Sequence, residues 1–251
     1  MSSEKALALV LRTVDFSETS SVVTLFTREL GKVRALAKGA RRLKGPFEAA
    51  LDLLAVCRIV FLRKSSDALD LLTEAKLERR FRPASGDLSS LYAAYYIAEL
   101  VDELTDDYDP HPDLFDLAEQ TLVALSQPGS VAAAVLRFEL GALRDVGHLP
   151  SLDACVECGR QVEVNGRVSF GQLAGGVLCP ACRQGKKQVV SISPGVLEAM
   201  RHFAAPDGEA WAPFELDRRT QGELRAVVNR YLVNLLGREP RMHRYLATLT
   251  S

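Results

Sequence analysis

Four of the five cysteines stand in two pairs, Cys155-Val-Glu-Cys158 and Cys179-Pro-Ala-Cys182, with twenty residues between the pairs. Two such knuckles can set four thiolates tetrahedrally around one ion at bond lengths of about 2.3 Å, the geometry of structural zinc. A four-thiolate set leaves no open coordination position, so the predicted metal is one structural Zn²⁺ rather than a catalytic one. A redox C-x-x-C usually stands alone at a helix start, and iron–sulfur proteins space their cysteines differently. Between the knuckles, "RQVEVNGRVSFG" alternates around Asn165-Gly166, a favoured two-residue hairpin turn. Knuckle, hairpin and knuckle make a zinc-ribbon layout. Cys57 lies in the apolar run "LAVCRIVFL" and reads as core.

The second chemical feature is "VRALAKGARRLKGPFEAAL", residues 33–51, which holds Lys38, Arg41, Arg42 and Lys44 with no acid before Glu48. Like charges this close gain little from packing. They suit a polyanion, and a solvated loop is the plain alternative. Lys and Arg neutralise phosphates and release condensed counterions, while Gly39 and Gly45 would let the backbone come close. Arg12 and Arg34 extend the cationic set, with Arg28 and Lys32 near the next turn. Phe16 and Phe47 are candidates for base stacking, at least one of them being better suited to a core. The histidines, at 111, 148, 202 and 243, are scattered, and no phosphate-cradling, zinc-protease or nucleophile-elbow motif occurs. Asp15 and Glu18 are too few acids in the first turn for a two-metal nuclease.

Positioning these groups requires modules, and charge marks their bounds. Net charge is −1 over 251 residues. Residues 1–82 hold 16 Lys/Arg against 10 Asp/Glu, residues 83–150 hold 2 against 12, and residues 151–251 hold 13 against 10. A basic front and an acidic middle suggest different partners for each. The start "MSSEKALALVLRT" lacks the pattern of a secretory signal and no apolar run approaches the ~18 residues of a membrane span, so a soluble, cytoplasmic protein is expected, with thiols in place of disulfides.

Residues 6–77 read as five strands: "LALVLRTV", "SVVTLFT", "KVRALAK", "LAVCRIVFL" and "ALDLLTEAKL". So few short strands bury themselves best as a closed barrel, and the five-stranded OB-fold is the common solution. The basic segment then joins strands three and four. Beyond "RPASGD" the period becomes helical: 87–104 with Asp87 as cap and Leu88, Leu91, Tyr95, Ala98 and Val101 on one face, a helix opening at Pro112, and one ending at Gly147. The acids of the first two helices are expected on outer faces. Further helices follow at "SPGVLEAMRHFA" and "DRRTQGELRAVVNRYLVNLLG". The predicted fold is α+β: an OB-fold domain at 1–82, a helical domain at 83–150 and 188–251, and a four-cysteine ribbon inserted at 151–187.

This combination resembles the RecO family of bacterial recombination mediators. The likeness rests on "LVLRTVDFSETSSVVTLFTRELGKVRALAKGARR", "LRFELGALRDVGHLPSLDACVECGR" and "GGVLCPACR". It implies a non-enzymatic protein of recombinational DNA repair that binds single- and double-stranded DNA and anneals complementary strands. With RecR it would help RecA replace the single-strand binding protein SSB. The family's helical domain is associated with the SSB C-terminal tail, which makes Arg137 in "AAAVLRFELGAL" the candidate receiver of a peptide carboxylate; the plain alternative pairs it with Glu139 or Asp102. An OB-fold and zinc-ribbon RNA-binding or transcription-associated protein would share these features. Sequence-specific reading would call for a recognition helix, and none is evident.

Overall fold

Alternation builds the first module. In the computed structural model, which describes residues 2–42, 47, 50–64, 68–84, 88–206, 211 and 213–246, strands β1 (Ser2–Asp15), β2 (Ser21–Thr27), β3 (Gly31–Ala37), β4 (Val56–Arg63) and β5 (Asp70–Arg79) close a barrel in the order β1-β2-β3-β5-β4. Long β1 pairs with both β2 and β4, and a short parallel pairing of β3 with β5 completes the closure. Every second residue points inward: Ala6, Ala8 and Val10 on β1, Val23 and Leu25 on β2, Val33, Ala35 and Ala37 on β3, Cys57, Ile59 and Phe61 on β4. The many alanines follow from the narrow bore, which mixes small and large side chains. Phe47 and Ala50, from the β3–β4 connection, are buried in this same core. Phe47 is therefore structural.

One irregularity has consequences. The β1–β2 register shifts between Val10 and Arg12. Unbroken alternation from inward Val10 would have turned Arg12 inward too, because a one-residue slip exchanges the faces. The bulge turns Arg12 out.

Helices α1 (Leu88–Leu104) and α2 (Pro112–Leu125) follow, and α2 opens on its proline as predicted. Asp87 lies outside the described residues. The buried stripe of α1 differs from the expected one. Ala98 and Val101 are buried as expected, but with Ser90, Ala93, Ala94, Tyr96, Ile97 and Leu100, while Leu88 is exposed and Leu91 and Tyr95 only half-buried. Small alanines allow close packing on that side, so residue size outweighed the apolar count that favoured Leu88 and Tyr95. α2 packs its Phe115 against Phe26 on the outside of β2, ring centroids 6.0 Å apart.

Two adjacent residues fix the barrel to these helices. Gly31 takes φ of 73°, and a Cβ there would lie 2.2 Å from the Asp109 carbonyl oxygen, so no other residue fits. Lys32 is 5% exposed. Its Nζ donates to the carbonyls of Asp102 and Thr105 at 2.6 and 2.7 Å and faces the Asp102 carboxylate at 3.2 Å.

Helix α3 (Val131–Asp145) ends with His148 N–H donating to Leu143 O and Gly147 N–H to Arg144 O, the two bonds of a glycine-terminated cap, as the Gly147 stop signal anticipated. A three-stranded sheet, ordered β7 (Gly176–Leu178), β6 (Val168–Gly171), β8 (Val189–Ile192), leads into α4 (Pro194–Ala204), α5 (Arg218–Leu236) and the short α6 (His243–Leu246). Asp217 caps α5 by accepting from the Arg219 and Thr220 backbone N–H groups. By compactness, one unit falls within Met1–Val131 and Arg241–Leu249, the other within Ala132–Pro240. The core of the second unit joins Leu140 and Leu143 of α3, Phe170 and Val177 of the sheet, and Leu197 and Val228 of the last long helices.

The hairpin expected around Asn165-Gly166 does not form. β6 has both edges occupied, by β7 and β8, so residues 162–164 have no strand to pair with, and Asn165-Gly166 is a bend with exposed side chains. The ribbon's hairpin is β6–β7.

Replacing Lys32 by Met keeps the stem and removes a buried ammonium whose Asp102 carboxylate partner is 37% exposed. Urea unfolding of Lys32→Met should show a loss of about 1–3 kcal/mol, the scale for buried polar groups left without their partner. An unchanged midpoint and slope would show that the ammonium holds nothing.

Candidate metal centre and nucleic-acid interface

The two knuckles bring Cys155, Cys158, Cys179 and Cys182 together so that all four Sγ atoms lie within 4.8 Å of one another. Among the described residues this is the one such cluster of metal-ligating side chains. The Cys158 and Cys179 sulfurs are 3.9 Å apart. A disulfide would need about 2.05 Å, whereas ligands at ~2.3 Å on a tetrahedron stand about 3.8 Å apart. All five cysteines are free thiols. The spacing therefore fits one tetrahedral ion, and zinc suits an all-thiolate set.

The electrostatics agree. Burial acts to raise the Cys155 thiol, but backbone N–H groups of Cys179, Cys158 and Glu157 outweigh it and hold the thiol down to about 6. Cys179 is lowered chiefly by the Cys182 N–H. Cys182, hydrogen-bonded to Cys179 and Cys158, is pushed up to about 12. Four negative charges cannot share this space alone, and a divalent cation removes the conflict. When bound it would supply cross-linking of the two knuckles, with Cys155, Cys158, Cys179 and Cys182 as ligands. Around it, Lys186 pairs with Glu157 at 2.6 Å and Arg201 with Asp153 at 2.8 Å.

The cations of the first module divide into two groups. Lys32 is buried under α1 and so leaves the phosphate track suggested for it. Arg28 holds Asp116 through two nitrogens, at 2.8 and 2.9 Å, which raises its pKa. Arg34 faces Asp107 at 3.5 Å and Arg79 pairs with Glu119. Four acids of α1, α2 and their connection are thus counterions of the barrel, while Asp113 stays on an outer face. The second group stays open to solvent, and Arg34, 54% exposed beside Asp107, belongs to both. Register sets Arg12 beside Thr24 and Thr24 beside Arg34, one outward row across three strands. Lys38 and Arg42 are exposed just beyond β3. Arg41 is anchored: its guanidinium donates to Ser17 O at 2.9 Å and faces Asp15 at 3.3 Å, and its N–H donates to Thr19 O. This ties the basic segment to the β1–β2 turn. Gly39 is buried, takes φ of 78° and accepts from Arg42 N–H, so it serves the turn. Lys44 and Gly45 lie outside the described residues.

Next to the cationic row runs an apolar one that the sequence reading missed. Val14, Val22, Leu36, Leu71 and Leu62 pair in succession around the outer barrel wall. Val14 is 44% exposed and the others half-buried. Phe16, two residues beyond Val14 in the β1–β2 turn, is 64% exposed. The signal was present as apolar residues at outward positions of all five strands, but only the bulge and the register align them.

Arg137 is 7% exposed, and its guanidinium lies over the Trp211 ring at 3.4 Å from the centroid. Burial lowers its pKa to about 10. Of the acids offered as partners from sequence, Glu139 is ion-paired with Arg225 and Asp102 with Lys32.

Replacing Cys155 and Cys179 by Ser should release about one zinc per chain and loosen the knuckles at 151–162 and 179–187, while β6–β8, held by the larger core, stays folded. Metal analysis and hydrogen exchange check this. Four-thiolate zinc is worth roughly 10–16 kcal/mol in isolated peptides, so retention of the metal by the folded double variant would remove these cysteines from the ligand set.

Comparison with known proteins agrees with both halves of this architecture. Residues 1–81 match the family model described as recombination protein O N terminal, and residues 85–244 match recombination protein O C terminal. A DNA repair protein RecO of Rhodopirellula baltica is 43% identical over 96% of this chain and 97% of its own length. Those of Anaeromyxobacter dehalogenans and Halalkalibacterium halodurans are 37% and 30% identical, over 96% and 98% of this chain and 95% of theirs in both cases. With closed barrel, helices, four-cysteine cluster and near full-length similarity together, the chain belongs to the RecO family of DNA repair proteins.

Proposed function

We propose that the protein binds single- and double-stranded DNA through backbone phosphates, anneals complementary strands and, with RecR, helps load RecA onto SSB-coated single strands. The observation that carries this is the pair of parallel rows on the barrel wall. Arg12, Lys38 and Arg42, with Arg34 and Arg41 beside exposed counterions that a phosphate can replace, suit phosphates; Val14, Val22, Leu36 and Phe16 suit the faces of bases. Backbone contacts carry no sequence information, which is what pairing arbitrary strands requires. Annealing makes and breaks no covalent bond, so the action is non-enzymatic, and the zinc serves structure. No described helix is long and apolar enough to cross a membrane.

Replacing Lys38, Arg41, Arg42 and Lys44 together by Ala should flatten the slope of log affinity against log salt by up to roughly 3 units for single strands, at about 0.7 per phosphate contact. Unrelated base sequences should lose affinity alike, and annealing should fall in step. Competition with matched RNA separates the alternative of an RNA-binding protein, which would favour the ribose strand. An unchanged salt slope in a folded variant would return the segment to a solvated loop.

For the SSB tail we retain Arg137 as receiver, now with a condition: a carboxylate reaches the guanidinium by displacing the Trp211 ring. Trp211 is the single tryptophan of the chain. Adding the acidic tail peptide should change its fluorescence saturably, and Arg137→Ala should weaken binding by a few-fold to a hundred-fold with DNA affinity preserved. Tail binding without a fluorescence change, and undiminished in a folded Arg137→Ala variant, would place the receiver elsewhere.

A further inference from the structure

Where β5 runs out, the chain reads Arg79, Arg80, Phe81, Arg82 and Pro83. These residues form one wall of a cleft of about 360 Å³, completed by Leu54 and Val56 at the barrel base and by Leu122, Val123 and Gln127 at the end of α2. A hydrogen bond from Ala84 N–H to Leu125 O holds the segment against that helix end. Part of this has a structural purpose, since cations suit the carbonyl end of a helix and Arg79 is paired with Glu119. Arg80 and Arg82 exceed that purpose. The partner of Arg80 is Asp52, 3.0 Å away and itself more than half exposed, so an anion can take its place. Arg82 is exposed and has no hydrogen bond or ion pair among the described residues. The floor beneath them is apolar.

The cleft borders β1, the strand that carries Arg12. Asp52 belongs to the segment whose Leu51 carbonyl accepts from Thr13 Oγ1 at 3.1 Å, and Leu54 N–H donates to Val10 O at 2.9 Å. Thr13 adjoins Arg12, the first residue of the phosphate row.

We propose that this cleft is a second nucleic-acid station, which takes one nucleotide of a strand that has crossed the barrel wall. Its phosphate sits on Arg80 and Arg82 and its base on the apolar floor beside Phe81 and Val123. The proposal rests on the DNA-binding reading above and extends the track beyond the barrel, giving a strand two separated points of attachment. The stretch between them stays free to pair. An acidic peptide is the competing occupant; the bond from cleft-lining Leu54 to Val10, two residues before Arg12 on β1, favours the strand.

Two variants of the full chain test it, read by fluorescence anisotropy with a labelled single-stranded oligonucleotide over a salt series. Arg80→Ala with Arg82→Ala should flatten the salt slope by up to about 1.4. Val123→Trp fills the cleft and leaves every charge in place; it should weaken binding about fivefold or more, the scale of one lost base contact, with the slope unchanged. Both effects together support the station. Loss with the charge variant alone would reduce the arginines to long-range attraction and overturn the base-binding cleft. Neither effect, with the basic-loop variant still impaired, would overturn the station and leave the barrel reading standing. A wild-type protein that binds no DNA would instead sink the barrel reading itself. Capture of an acidic peptide by the wild type, lost in both variants while DNA binding is unaffected, would also overturn the proposal.

Discussion

A buried ammonium decides which part of the barrel is wall and which part is surface. Lys32 projects outward from β3 and finds the carbonyls of Asp102, in α1, and of Thr105, just past its end, in place of water. Gly31 beside it leaves no room for a side chain against Asp109. On the neighbouring strand Phe26 meets Phe115 of α2. These contacts occupy one band of the outer barrel and stop there. The next rows, Arg12–Thr24–Arg34 and then Val14–Val22–Leu36, remain open because the helices were docked one band away. The open rows are thus a consequence of where the join was made.

The same join explains why regional charge misled. Residues 1–82 and 83–150 have large opposite excesses, which suggests separate partners. In three dimensions Arg28, Lys32, Arg34 and Arg79 meet Asp116, Asp102, Asp107 and Glu119, so much of each excess is the counterion of the other. Exposed pairs of this kind contribute little stability, but they determine which cations stay available. Of the cations proposed for the track, Arg12, Lys38 and Arg42 remain without an acid partner among the described residues, fewer than the sequence offered.

Sequence legibility followed the range of the interaction. The knuckle spacing, the five alternating runs, Pro112 at a helix start and Gly147 at a helix end depend on neighbours within a few residues, and each appears where it was read. The α1 face, the ribbon hairpin and the outward apolar row depend on partners far along the chain. Alternation in "RQVEVNGRVSFG" was real but insufficient, because β8, some twenty residues later, took the edge that the hairpin would have used. The bulge in β1 left no mark in composition, yet it alone puts Arg12 on the outside. Phe16 and Phe47 are equivalent as letters. Burial of one and exposure of the other follow from a turn and a core that form only when the barrel closes.

On the proposed reading, the chemistry of the open wall suits release as well as capture. Stacking on an aromatic side chain is worth about 1–3 kcal/mol per base, and Phe16 is the one phenylalanine so exposed among the described residues. The remainder of the row is aliphatic and half-buried, offering bases a contact without a deep hold. Affinity then rests on phosphates, whose contribution is counterion release and is governed by salt and by strand charge. A wall of this kind holds a strand by its backbone and leaves the pairing edges of its bases exposed. When a complement pairs with them, the bases leave the row for each other, and the aliphatic contacts are too weak to compete with pairing. An aromatic-lined groove would bind more tightly and compete with the product it is meant to form.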